Sequence, residues 1–330
     1  MNYRYIPLLK AKAGEIEALG NLTSSARSRI LPLIHIGETL SPKFAQKFSI
    51  AWGNQPVGVD GSFNLTKSGA AATYLQLVQT LRQAGTPAIP SVNQTDLPAY
   101  IATVSSLRDQ NGLIVKTSLT NLIGSSAWVF QQGWHPQEVD LVIDLKSIAG
   151  VDHQMLSGYL LSVLQQGAQT LASFRSVTLA ASAAPKDHGS LNRGSNRVPR
   201  ADWLLWQSTV PFAPIKLDYG DYGTGHPDLT EPPGAAMANA TVSARYSLDA
   251  EWLIIKGRST GGAHGLPMAL QYSSHAGVIS TDPNFGGLNG CWADASVAHV
   301  ASGGTGMGSR QKWAEISANR HISLVADRLP

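Results

Sequence analysis

The chain has 330 residues, of which 43% are hydrophobic and only 14% charged, against roughly 25% charged in an average globular domain. That length can bury an ample core in one large barrel or two domains, and the composition excludes disorder and polyelectrolyte behaviour. The 25 Lys and Arg against 22 Asp and Glu leave a net charge of +3 with no basic tract, so duplex nucleic acid is not indicated as a partner. Cys291 is the single cysteine, which rules out an intramolecular disulfide and a Cys-rich zinc site and fits a reducing compartment. The apolar stretch Tyr5 to Leu9 is too short for a signal-peptide core. No window reaches the roughly 18 apolar residues of a membrane span. The expectation is a cytoplasmic protein with no membrane association.

Short apolar runs alternate with amphipathic stretches as far as about residue 225. In chain order the runs are Tyr5–Lys10, Leu31–Ile36, Pro56–Asp60, Pro87–Val92, Gly112–Lys116, Val139–Leu145, Ser176–Ala181 and Pro214–Tyr219. Each has the length of a buried parallel strand. Segments such as AAATYLQLVQTLRQAG and HQMLSGYLLSVLQQGAQTLAS place apolar residues three and four apart, as crossover helices do. Gly85 and Gly112 stand where helices should stop. Eight strand–helix units predict a TIM-like (β/α)8 barrel over residues 1–234, with a doubly wound open sheet as the alternative. After about residue 235 the pattern becomes antiparallel: VSARYSLD and EWLIIKG read as a hairpin turning at Asp249–Ala250, and HISLVADRL as a third strand. WADASVAHVA reads as a short helix. Residues 235–330 are therefore expected to form an appended module that packs on the barrel and could cover one mouth.

In such a barrel the carboxyl ends of the strands face the active-site mouth. This nominates Lys10 and Lys12, His35 and Glu38, Asp60, Ser91 and Asn93, Lys116, Asp144, Ser182, and the cluster Asp218, Tyr219 and Asp221. Asp60 and Asp144 stand out because each ends an apolar run, where a carboxylate is costly unless paired or used. Lys10 and Lys116 end similar runs and are their candidate partners. No pair of histidines has HxxxH or HxH spacing, so a multi-histidine metal site is not indicated. Magnesium held by Asp60, Asp144 and Asp221 remains open, since oxygen ligands need no spacing signature. SGGTGMGSR lacks the GK[ST] end of a phosphate loop and reads as a lid or connector. In GDYGTG, Gly220 and Gly223 permit tight turns whose amides could bind an anion beside Asp221. Cys291 as a nucleophile would require a base, for which His321 is the candidate.

The segments YIPLLKAKAGEIEAL, VPRADWLLWQ, YGDYG, ARYSLDAEWLIIKG, GCWAD and KWAEISANRHISLV occur in this order, and with them the chain resembles the beta protein family, named after a protein of T-even phages. The matched positions are Lys10, Lys12, Glu15, Arg200, Asp202, Gly220, Asp221, Tyr222, Arg245, Tyr246, Trp252, Lys256, Gly257, Cys291, Asp294, Trp313, Asn319 and His321. The resemblance implies a barrel-like fold and a phage or defence-related setting, with no reaction attached. His35 departs from the carboxylate expected at its position in relatives. Among the matched residues His321 suits an acid or base, Asn319 a hydrogen-bond donor, and Lys256 and Arg200 anion clamps.

Three readings follow. The first is a hydrolase of a phosphoester or nucleotide-like small molecule. In it Lys10, Lys116 and Lys256 hold the anion, Arg200, Tyr222 and Asn319 assist, and Asp60, Asp144, Asp221 and His321 are catalytic. The second is a non-catalytic protein that binds a phage or host protein. The third is a glycosidase or lyase using two of the same carboxylates.

Overall fold

Eight of the apolar runs hydrogen-bond side by side in chain order and close on themselves. The computed structural model describes residues 5–37, 40–62, 69–230 and 241–329. The barrel strands are β1 (Tyr5–Lys10), β2 (Leu33–His35), β3 (Val57–Asp60), β4 (Ala88–Asn93), β5 (Leu113–Thr117), β6 (Val139–Ser147) and β7 (Ser176–Ser182). After an intervening strand β8 (Gly194–Pro199), β9 (Asp218–Asp221) completes the barrel. All neighbours are parallel, and β9 pairs with both β7 and β1. The expected closed barrel is thus the architecture, and the open sheet is not.

Alternation along each strand fills the cylinder. Ile6, Leu8, Leu33, Ile89, Ile114, Val142 and Ala180 form an inner apolar cluster. Their neighbours in sequence, such as Leu9, Val59, Val115, Ile143 and Leu179, join the larger core against the helices. Two glycines let the inner layer close: a side chain at Gly58 would strike Leu33 and Ile114, and one at Gly220 would strike Thr178, Ala180 and the Ile6 carbonyl.

The eighth strand starts later than the run Pro214–Tyr219 suggests. Pro214 has no N–H to give a ladder, and pairing begins at Asp218. In the tail, the hairpin forms as expected from β10 (Ser243–Ser247) and β11 (Glu251–Lys256). Its third strand is β8, paired antiparallel to β11. The expectation that HISLVADRL is a strand is overturned: these residues lie in the helix Arg310–Arg328, which opens on Ser309 accepting from the Lys312 amide. Every residue from Glu315 to Ala326 is buried, and a helix enclosed on all sides loses the polar stripe that distinguishes it from a buried strand. That helix lies against the barrel helix Ala13–Gly20 and against β10. Two further helices, Met268–Ser280 and Trp292–Ala301, complete a second core around Tyr246, Tyr272 and Trp313.

Gly112 has φ +74° and faces the Glu138 carbonyl and Arg175 where a Cβ would be, whereas Gly85, at φ +88°, faces open space. Gly85→Ala should cost about 1 kcal/mol, the penalty of a left-handed residue alone. Gly112→Ala should cost more than about 2 kcal/mol because the backbone must also move. Urea midpoints of the two variants measure the difference, and equal losses would contradict the packing described.

Candidate functional site

The layer at the carboxyl ends of the strands is polar, because two residues beyond each inner apolar position the alternation delivers a side chain to the mouth. β1, β2, β3, β5 and β6 deliver Lys10, His35, Asp60, Lys116 and Asp144. Register confirms the level, with Lys10 beside His35, His35 beside Asp60, and Asn93 beside Lys116. Tyr222 follows β9 and joins the inner cluster. A cavity of about 350 Å³ opens here, lined by His35, Asp60, Asn93, Lys116, Lys146 and Asp228 among others.

Asp60 and Lys116, 2% and 3% exposed, form an ion pair, and the Ser62 amide donates to Asp60 Oδ1 at 2.9 Å. Burial works to raise the Asp60 pKa, but the Lys116 ammonium overcomes it and holds the carboxyl well below the usual range. Burial would likewise lower Lys116, and Asp60 and Asp144 raise it instead. Asp144 accepts from Tyr222 Oη at 2.8 Å and pairs with Lys146 Nζ at 2.7 Å. Burial opposes its charge, and Lys146 and Lys116 keep it ionised. Lys146 has φ +58° and is the sole non-glycine residue with positive φ among the described residues. It sits where the β6–β7 register shifts between Asp144 and Ser147, a bulge that turns its half-exposed side chain to the cavity.

His35 Nδ1 stands 3.7 Å from Asp60 Oδ2, and its ring lies 5.8 Å from that of Tyr222. Burial first, and Lys116 second, push its pKa down to about 3. The imidazole is therefore neutral at neutral pH. Its Nε2 is buried with no hydrogen-bond partner among the described residues. Lys10 Nζ donates to the Asp228 carbonyl at 2.6 Å. Glu15, half-buried one turn along, accepts from the Lys10 amide at 2.5 Å and is pushed up to about 7 by burial. Ser91 is buried beneath the rim, Asn93 Nδ2 donates to Ser62 Oγ at 2.7 Å, and Ser182 donates to the Gly225 carbonyl. Glu38 lies outside the described residues.

The structure does not bring Asp221, His321, Arg200 and Asn319 to this mouth. Asp221 alternates with Gly220 and Tyr222 and so points outward, where Tyr5 Oη donates to its Oδ1 at 2.7 Å. His321 Nε2 meets Asp221 Oδ2 at 2.7 Å, and His321 Nδ1 meets Ser247 Oγ at 2.8 Å. Ser247, His321 and Asp221 thus have the hydrogen-bond order of a hydrolase triad, yet all three are 0% exposed. No substrate carbonyl can reach the hydroxyl, so the set ties the tail to the barrel wall. Burial would raise Asp221, and His321 and Arg200 hold it low. Arg200, 0% exposed, lies over the Trp203 ring and 3.9 Å from Asp221, while Tyr219 Oη donates to Asp202 at 2.8 Å. Asn319 joins the Ala18 carbonyl to the Ala293 amide. Lys256 donates to the Gly189 and Leu191 carbonyls. Cys291 begins the helix Trp292–Ala301 in a capping box with Asp294, so His321, engaged at both nitrogens, is not its base. Asp60, Asp144 and Asp221 are not assembled as a ligand set, and among the described residues no group of three His, Cys, Asp or Glu could hold a metal ion.

Sequence reasoning missed Lys146, Ser247 and Glu15 as site residues. Lys146 directly follows the run VDLVIDL, and nothing in the residue type announces the bulge. Glu15 is three residues after Lys12 at the helix start, a spacing from which a carboxylate reaches back to the preceding amides.

Two outcomes follow from the two clusters. An unfolded histidine titrates near 6.5, and His35 in the fold near 3, so the unfolded chain takes up its proton first. The contribution of His35 is complete above about pH 6.5 and is lost as pH falls from there towards 3. His35→Asn should flatten the decline of urea stability between pH 6.5 and 4, and an unchanged slope would contradict the neutral, buried imidazole. For the closed set, Ser247→Ala should lower stability by about 1 kcal/mol and His321→Ala by more than about 2 kcal/mol, since the latter strands Asp221 in the interior. Ser247→Ala, which leaves the His321–Asp221 contact in place, should not change ligand binding at the mouth, which calorimetry on the folded variant checks.

Comparison with known proteins adds the following. Among solved structures, the chain is similar to a triosephosphate isomerase from Bartonella henselae at 11% identity. That likeness covers 67% of this chain and 93% of the other, with a TM-score of 0.34. It is also similar to the enoyl reductase domain of MlnA from the macrolactin biosynthesis cluster of Bacillus amyloliquefaciens, at 12% identity and a TM-score of 0.39. There the cover is 99% of this chain and 80% of the other. No curated protein matches. Residues 5–327 match the family model described as Beta protein, and the chain belongs to that family.

Proposed function

We propose that the protein is an enzyme that hydrolyses a small phosphoester or nucleotide-like anion at the carboxyl-end mouth of the barrel. The observation that carries this reading is His35. A neutral imidazole is buried at a cavity wall, with Nδ1 3.7 Å from Asp60 Oδ2 and Nε2 left without a partner among the described residues. Leaving a buried ring nitrogen unmatched costs about 1–3 kcal/mol, a cost that a ligand hydrogen bond removes.

In this reading the half-exposed Lys146 reaches the anion without leaving Asp144, whose buried carboxylate would be costly to strand. Lys10 supplies a second positive charge. The ligand opens a path to His35 Nε2, which is buried in the unliganded fold, and with a proton on Nδ1 facing Asp60 that nitrogen accepts a hydrogen from the attacking water. The water oxygen bonds to phosphorus, the phosphorus–oxygen bond of the ester breaks, and the proton passes from His35 to the departing oxygen. The Asp60 carboxylate stabilises the imidazolium formed in between. The bound anion also offsets the Lys116 field that depresses His35. Asp60 and Lys116 act as a fixed pair, and Tyr222 holds Asp144.

A second reading, capture of a phage or host protein in the setting the family resemblance implies, is favoured by a different observation. Three of the rim carboxylates already have a cation, Asp60 with Lys116, Asp144 with Lys146 and Asp228 with Lys186 at 2.7 Å, and the fourth, Asp96, accepts from Ser62 and from the Asn93 amide. Such a self-neutralised rim needs no ionic ligand.

The test is thermal unfolding and calorimetry against orthophosphate, nucleotides and sugar phosphates, with and without magnesium. A ligand at 100 times its Kd adds about 2.7 kcal/mol, which raises Tm by several degrees. Lys146→Ala should remove most of that shift. His35→Asn should keep binding and lower turnover of the responding ester by about 10²–10⁴-fold. Silence towards every phosphate compound would reject the enzyme in favour of the second reading, whereas full turnover in His35→Asn would remove His35 as the base.

A further inference from the structure

Beside the mouth, on the side where the tail meets the barrel, three cations are held by neutral acceptors alone. Arg245 Nη1 donates to the Thr224 carbonyl and Nε to His188 Nε2 at 3.0 Å. Lys256 donates to the Gly189 and Leu191 carbonyls, and Lys10 to the Asp228 carbonyl. Their partners lie on two loops that follow β7 and β9 and run together over one edge of the barrel, joined by Ser182 to Gly225. The carboxylates nearby are engaged elsewhere. Asp228 pairs with Lys186, Asp187 accepts from the Gly189 amide at 2.7 Å, and Glu15, pushed up by burial, accepts from the Lys10 amide, although Lys10 still feels the charges of Glu15 and Asp228. Burial pulls the Arg245 pKa down to about 10 with no acidic group opposing it.

Both histidines here are neutral acceptors as well. His188 takes the Arg245 proton at Nε2, and burial followed by Arg245 lowers its pKa to about 4. His226 Nδ1 accepts the Asp228 amide at 3.1 Å. Each ring therefore keeps its own proton on the opposite nitrogen, as a donor. An arginine paired with a carboxylate is neutralised, whereas one held by an imidazole and a carbonyl keeps its whole charge for a ligand, together with its fork of donors.

We infer that Arg245, Lys10, His188 and His226 form a second anion subsite, and that the mouth takes a ligand with two linked anionic groups, the class of a pyrophosphate or nucleoside diphosphate. This rests on the reading of the mouth as an anion site. Lys10 joins the two, since its acceptor Asp228 also lines the mouth cavity. One group sits at Lys146 and His35 and the other at Arg245, so a single anion fills half of the site.

The experiment is calorimetry of the full chain with pyrophosphate and with orthophosphate. Wild type should bind pyrophosphate at least tenfold more tightly, with a steeper loss of affinity as salt rises. Arg245→Gln should bring the two anions within about threefold while leaving orthophosphate binding unchanged, and Arg245→Lys should restore part of the preference. The lysine variant also covers the case in which the glutamine variant fails to fold. Equal affinities in wild type, or a preference indifferent to Arg245, overturn the subsite and leave the mouth reading standing if orthophosphate binding still needs Lys146. Arg245-dependent pyrophosphate binding that survives Lys146→Ala supports the subsite and removes the mouth reading. No binding of either anion overturns both.

Discussion

The closing seam of the barrel, where four-residue β9 pairs with β1, governs the arrangement of everything around it. Tyr5 lies beside Tyr219, Ile6 beside Gly220 and Pro7 beside Asp221. The inner face is tight at Gly220, where a Cβ would come within 3.0 Å of Thr178 and 3.1 Å of Ala180 and the Ile6 carbonyl. With the register fixed there, the period of two allows no freedom to the residues that follow. Tyr222 must enter the cylinder, where it meets Asp144, and Asp221 must leave it, where it meets Tyr5 and His321. A slip of one residue would exchange the two and leave both networks unsatisfied.

The consequence is two ionic clusters of opposite character, separated by the barrel wall. In the outer one both ring nitrogens of His321 have partners, and Asp221 has a tyrosine, a histidine and an arginine around it. Desolvation of Asp221 and His321 is answered within the protein, as buried charges require if they are to persist, while Arg200 Nε and Asp202 Oδ1 beside them have no hydrogen-bond partner among the described residues. In the inner one Asp60 and Lys116 answer each other but His35 Nε2 is left open. The contrast is why solvent-closed triad geometry is read here as a strut and the incomplete histidine as the functional group. Hydrogen-bond order alone would have suggested the reverse.

The barrel was legible because its strands are short, apolar and regularly spaced, and because parallel strands buried on both faces leave that mark whatever the function. The mouth residues Lys10, His35, Asp60, Lys116 and Asp144 could be nominated from strand ends because alternation is local. Asp221 and His321 could not be placed the same way. Which face an end residue takes depends on the register of a closure between residues more than two hundred positions apart. The helix Arg310–Arg328 was illegible for a related reason: enclosed by barrel and sheet, it carries Trp313, Ile316, Ile322 and Val325 among buried Glu315, Asn319 and Arg320. β8 offers the opposite difficulty, an edge strand of exposed polar residues with no apolar alternation.

The tail therefore does more than shield a wall. Its helix anchors β9 from outside through His321, while its sheet sends Arg245 and Lys256 to the loops that leave β7 and β9 at the mouth. These are two grips on the same short strand, one on each side of Tyr222. A strand of four residues with a glycine at its centre has little intrinsic rigidity, so the position of Tyr222, and through it of Asp144 and Lys146, is set by the tail as much as by the barrel. On the proposed reading, chemistry at the mouth depends on residues that never touch the substrate, and loosening the tail would cost function before it cost the fold of the barrel.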